Sequence, residues 1–147
     1  MYVRELHVLY RLRRLGGWTL PLEPLKQPSD AARLFVTLFG DEVVEVGGLL
    51  CLSTRHHVVA YHELSRGTAD SAIMHPREIF KAALLTNATC LILGHNHPSG
   101  DVAPSSDDIA LTKRIAEAGT IMGIELVDHV IVSVDGKYLS FKEVGRL

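Results

Sequence analysis

The sequence predicts an α/β domain with a mixed central β-sheet flanked by helices, and three observations carry that reading. Apolar runs of strand length are interleaved with stretches of helical periodicity along the chain. The runs Val43 to Leu52 and His57 to Leu64 are separated only by polar Ser53 to His56, the pattern of an antiparallel hairpin. The run Thr89 to Leu93 instead passes through a loop and a long helical pattern before Glu125 to Ser133, which is a strand–helix–strand step. A sheet that contains both kinds of connection is mixed.

The elements follow in order. Residues 1–28 read as an N-terminal leader. Tyr2 to Arg14 mixes apolar and basic residues in a pattern compatible with strand or helix, and Gly16-Gly17 and three prolines from Pro21 to Pro28 make an irregular connection. The domain proper occupies 29–147. Ser29 and Asp30 supply an N-cap and first turn for a helix running to about Phe39, closed by Gly40. After the hairpin, Gly67-Thr68 opens a loop, and Pro76 starts a second helix in which Ile79, Ala82, Ala83 and Leu85 to Ala88 form a mostly buried set. In the third helix, 106–122, Leu111, Ile115, Ala118 and Met122 form the apolar stripe, with Lys113, Arg114 and Glu117 on the polar side. Glu125 to Ser133 and Lys137 to Phe141 close the chain as strands around Asp135-Gly136.

Composition narrows the function. A chain of 147 residues that is 47% hydrophobic is long enough to bury a core as one domain. Its formal net charge of -2 gives no drive toward nucleic acid or anionic membrane, although Arg11, Arg13 and Arg14 form a local basic cluster. No apolar stretch is long enough to span a bilayer, and the first residues lack the continuous apolar region of a secretory signal. Cys51 and Cys90 lie inside apolar runs, outside any C-x-x-C pattern, as expected of buried thiols in a reducing, cytoplasmic setting.

His95-Asn96-His97, followed by Asp108, is the chain's most specific pattern. Two imidazoles and one carboxylate are a common ligand set for catalytic zinc, with the fourth position left for water. The histidines fall where an apolar strand ends, Pro98-Ser99-Gly100 turns the chain, and Pro104 to Asp108 opens a helix. Asp108 flanks the apolar stripe of that helix, away from its basic residues, whereas Asp107 falls on the wet side near Arg114. A partly buried carboxylate without a nearby cation wants a partner, and a metal would supply one. Ser105-x-x-Asp108 also reads as a capping box, so the carboxylate has a competing structural role. Hydrolysis needs a carboxylate to take a proton from bound water. Glu45, within Val43 to Val46, is a candidate, with Glu42, Glu63 and Glu78 as competitors; Glu78 is already explained as a first-turn acid.

These residues resemble a known family. Glu45, His95-x-His97, Ser105 and Asp108 are similar to the JAMM signature of JAB/MPN metalloproteins, and the likeness is closest to the JAB domain of bacterial RadC-type proteins. Arg66-Gly67-Thr68, His75 to Glu78, Gly94 to Asp101 and Leu126 to Ile131 resemble that subgroup's blocks, from about Ser29 to the C-terminus. The resemblance implies a cytidine-deaminase-like fold holding Zn2+ through His95, His97 and Asp108. It implies Glu45 as general acid/base and Ser105 as a hydroxyl donor toward the developing oxyanion. Asp101 and Asp128-His129 match as well and are expected to fix loops or support the ligands.

Two departures stand out. Full-length RadC proteins usually carry an N-terminal helix-hairpin-helix region, and nothing in residues 1–28 resembles it. Gly47-Gly48 stands where the family commonly has bulkier residues, a change expected to widen the space beside Glu45 or loosen the strand. The leading expectation is a zinc-dependent amide hydrolase acting on a peptide or protein substrate. A DNA-repair or mobile-element accessory role is the alternative, with little basic surface to support it. A non-catalytic scaffold is disfavoured by the complete ligand set, and a nucleoside deaminase by the missing H-x-E and P-C-x-x-C residues.

Overall fold

In the computed structural model, which describes residues 19–67 and 74–147, five strands form one sheet in the order β2-β1-β3-β4-β5. The elements are α1 (Pro28–Phe39), β1 (Val46–Leu52), β2 (Val58–Arg66), α2 (Pro76–Leu85), β3 (Cys90–Asn96), α3 (Ser106–Met122), β4 (Glu125–Val132) and β5 (Tyr138–Ser140). The expectations for Tyr2 to Arg14, Gly16-Gly17 and Thr68 lie outside the described residues.

The sheet is mixed, as the interleaved pattern requires. β1 runs antiparallel to both β2 and β3, β3 and β4 are parallel across α3, and β5 returns antiparallel to β4. Every residue of β1 and β3 is buried, because helices cover both faces of these central strands. One core packs against α1 through Phe35, Phe39, Val46, Leu50, Leu52, Ile92 and Val130. The other gathers Leu49, Leu91 and Leu93 under α2 and α3 with Ile79, Ala83 and Ile115. Among the described residues, no helix is long and apolar enough to cross a membrane.

Several local expectations shift. The N-cap of α1 is Gln27 rather than Ser29; Pro28 takes the first helical position, and Asp30 accepts from the Lys26 and Gln27 amides. Leu25, just upstream, packs into the α1 core. The first strand begins at Val46, not Val43: Val43 is 88% exposed, and residues 41–45 form a turn-rich connection. α2 ends at Leu85, so Leu84 and Leu85 are exposed, and Asn87 takes positive φ before Ala88 re-enters the core.

The fully buried line of α3 is Thr112, Ile115 and Gly119; of the expected stripe, Leu111 and Ala118 pack partly buried against the same core and Met122 is exposed. Gly119 explains the rotation: a Cβ there would collide with the Ile124 carbonyl, so the helix packs its slimmest side against the following loop. Asp108, one turn before Thr112, therefore lies on the line facing the sheet.

Gly47 and Gly48 do not open a gap. A Cβ at Gly47 would meet Ser65 Oγ at 2.6 Å and Met74 Cε at 3.1 Å, and one at Gly48 would meet the Tyr61 ring at 2.7 Å. The space that larger residues would need is filled by neighbours, and the register with β2 shifts between the two glycines.

Candidate metal centre

The site forms at the carboxyl end of β3, where open α/β sheets commonly bind ligands. His95 is the penultimate residue of that strand and His97 follows its last residue, so both rings project to the face under α3. Asp108 comes from the first turn of α3. His95 is 2% exposed, His97 16% and Asp108 13%, leaving the cluster open to solvent on one side.

The three side chains converge. His95 Nε2 lies 3.0 Å from His97 Nε2 and 3.3 Å from Asp108 Oδ1, and His97 Nε2 lies 3.7 Å from Asp108 Oδ2. Among the described residues, only these three offer histidine, cysteine or carboxylate ligand atoms grouped in this way, all within 4.8 Å of one another. Ligands about 2.1 Å from a tetrahedral ion stand about 3.4 Å apart, so the observed spacings suit one small divalent cation.

Each candidate ligand is oriented from behind. His97 Nδ1 lies 2.7 Å from the Asp101 carbonyl, which can only accept. Nδ1 therefore carries the ring proton, and Nε2 presents its lone pair to the site. Asp101 does this with its backbone; its side chain accepts from Ala103 N and shapes the loop. A proton or a cation must then lie between the two facing Nε2 atoms.

Asp108 serves as cap and candidate ligand at once. Oδ2 accepts from Ser105 N at 2.8 Å, and Ser105 Oγ accepts from Asp108 N at 3.1 Å, completing the capping box. Oδ1 remains turned toward His95. Burial disfavours the ionised carboxyl most strongly, but His95 and the Ser105 amide outweigh it and hold Asp108 below the ordinary carboxylate range. No lysine or arginine among the described residues pairs with it.

Behind His95 stands His129, fully buried and 2.9 Å from its Nδ1, with Thr112 Oγ1 2.6 Å beyond. Burial and the neighbouring His95 keep His129 well below the usual imidazole range, so it is neutral. The Asp128-His129 pair thus divides its labour. Asp128 accepts from His129 N, Lys142 N and Ser140 Oγ, fastening β4 to β5, while His129 backs the site.

Glu45 is an exposed residue one position before β1, not the strand residue the apolar run implied. β1 pairs Gly47 with His95, and two residues earlier the Glu45 carbonyl accepts from Gly67 N. Asn96 secures the segment. Its Oδ1 accepts from Val46 N at 2.6 Å, and its Nδ2 donates to the Glu42 and Val44 carbonyls at 3.1 Å each. Of the competing carboxylates, Glu42 and Glu63 both bind Arg66, and Glu78 pairs with Lys81. Thr112 and Asn96 carried no signal of their own in the sequence, since each acts through partners far away along the chain.

A three-layer α/β domain with a two-histidine, one-carboxylate cluster at a strand end defines a JAB/MPN-type fold. Residues 25–146 match the family model of the RadC-like JAB domain, and the chain belongs to that family. It is 42% identical over 119 residues to a UPF0758 protein of Alkaliphilus oremlandii, covering 81% of this chain and 51% of the relative. The UPF0758 protein of Staphylococcus carnosus is 44% identical over 121 residues, 82% of this chain and 53% of its own length. That of Thermotoga maritima is 47% identical over 103 residues, 70% of this chain and 46% of its own length. The chain spans about half the length of these curated relatives.

Proposed function

We propose that this domain is a metal-dependent hydrolase of the JAMM type, holding Zn2+ through His95, His97 and Asp108 and cleaving an amide bond in a peptide or protein. The observation that carries the reading is the Asp108 carboxylate, largely buried and faced by two imidazole nitrogens at 3.3 and 3.7 Å, with no Lys or Arg partner among the described residues. A buried charge without a counter-ion is expensive, and a divalent cation would resolve it. Zinc fits borderline imidazole and carboxylate donors in this number.

When bound, the ion would lower the pKa of a water and polarise the substrate carbonyl. Glu45, in the 42–46 segment that Asn96 fastens, would accept the proton and pass it to the leaving amine. Ser105 uses an oxygen lone pair for its cap, which leaves the hydroxyl proton for an oxygen that gains charge only in the transition state.

The test begins with metal analysis of the purified chain. One zinc per chain is expected, lost in His97→Ala and Asp108→Ala. Unchanged zinc content in both variants would refute the ligand assignment. Glu45→Gln is expected to retain zinc while abolishing hydrolysis of peptide and isopeptide substrates; full activity in that variant would remove Glu45 from the chemistry.

A further inference from the structure

The metal ligands do not account for the pair behind them, a fully buried imidazole and a buried threonine hydroxyl that meet no solvent. We propose that His129 and Thr112 are positioning residues that set which nitrogen of His95 is free of a proton, and so set the metal affinity of the site. The proposal rests on the reading of His95, His97 and Asp108 as ligands and names what controls them.

The contacts form a chain that returns to its origin. His95 Nδ1 meets His129 Nε2 at 2.9 Å, His129 Nδ1 meets Thr112 Oγ1 at 2.6 Å, and Thr112 Oγ1 meets the Asp108 carbonyl at 2.6 Å. His129 stacks on Phe141 with ring centroids 4.8 Å apart, which restricts rotation of its imidazole. Two ligands of one ion are thus joined through a single path.

A neutral imidazole has one proton and a hydroxyl has one, so the chain has two consistent directions. In the first, Thr112 donates to the Asp108 carbonyl, His129 Nδ1–H donates to Thr112, and His95 Nδ1–H donates to His129 Nε2. His95 Nε2 is then bare. In the second, Thr112 donates to His129 Nδ1, His129 Nε2–H donates to His95 Nδ1, and His95 Nε2–H donates to His97 Nε2, 3.0 Å away. Both directions hold the same number of protons. Only the first offers a lone pair to an ion.

Thr112 favours that first direction. Its hydroxyl lies in position to bond the carbonyl four residues back, a common arrangement for a helical threonine, and this makes it an acceptor toward His129. Histidine ligands are generally oriented through their second nitrogen by a carbonyl or carboxylate. Here that function passes through a second imidazole, and the terminal acceptor is the backbone of another ligand.

The experiment measures zinc affinity of the whole chain by chelator competition at one pH. Thr112→Val keeps the shape and removes the hydroxyl; about a 10- to 100-fold loss of affinity is expected, with Thr112→Ser restoring it. In wild type, side-chain 15N spectra should place the His129 proton on Nδ1 in the zinc-loaded protein and on Nε2 without zinc. Equal affinity of Thr112→Val and wild type, while His97→Ala loses binding, would overturn the relay and leave the ligands standing. A His129 proton on Nε2 in loaded wild type would do the same, even if the valine variant failed to fold. Undiminished binding in His97→Ala and Asp108→Ala would instead overturn the ligand assignment and the relay with it.

Discussion

Asn96 stands between His95 and His97, and strand geometry sends its side chain to the opposite face of the sheet. There it is fully buried and makes three hydrogen bonds to residues 42–46. The same tripeptide therefore supplies two candidate ligands to one face and ties down the Glu45 segment on the other. Asn96→Ala would strand the Val46 amide and two carbonyls, and we expect a loss of about 1–3 kcal/mol in urea unfolding. Amide exchange at Val46 should accelerate first, because its acceptor has gone. No change at Val46 would show that the Asn96 side chain is not what protects that amide.

At the scale of elements, α3 has to meet two demands: its first turn delivers Asp108, and its body must pack closely enough for that carboxylate to reach β3. Gly119 permits the close approach to Ile124. Gly119→Ala would gain up to about 1 kcal/mol in helix propensity, but overpacking against backbone costs about 1–3 kcal/mol. A net fall in melting temperature is the expected result, and a rise would mean that the 119–124 turn yields easily.

α1 makes an acid-dependent contribution. The Lys26 amide, ahead of the Gln27 amide and Arg33, holds the Asp30 carboxyl below its ordinary value against a partial burial penalty. A folded value below the unfolded one means that the unfolded chain binds more protons in that window. The stabilisation is therefore complete above the unfolded value near 3.8 and is lost as pH falls through the lower folded value. Asp30→Asn should flatten the stability profile below about pH 4, as read by circular dichroism in an acid titration.

For the whole molecule, the three candidate ligands come from β3, its following loop and α3, so an ion bound there would staple separate layers of the fold. Zinc at 100 times its dissociation constant would stabilise the native chain by about 2.7 kcal/mol. We expect a concentration-dependent rise in melting temperature, reversed by chelator and absent in His97→Ala. A melting curve indifferent to zinc in the wild type would contradict binding to the native state.

How much of this was legible in the sequence differed by distance along the chain. The mixed sheet, the span of α3 and the hairpin turn at Gly136 followed from periodicity, capping residues and turn chemistry, which act over a few residues. His95, His97 and Asp108 were readable because their spacing is short and their elements adjoin. The edge of β1 and the face of α3 were not, because each depends on what packs opposite. Sequence by itself determined the elements and the candidate ligand set. Tertiary structure alone decided which partners back the candidate ligands and fasten the 42–46 segment, since Asn96 with that segment and His129 with His95 meet only after remote strands pair in a single register.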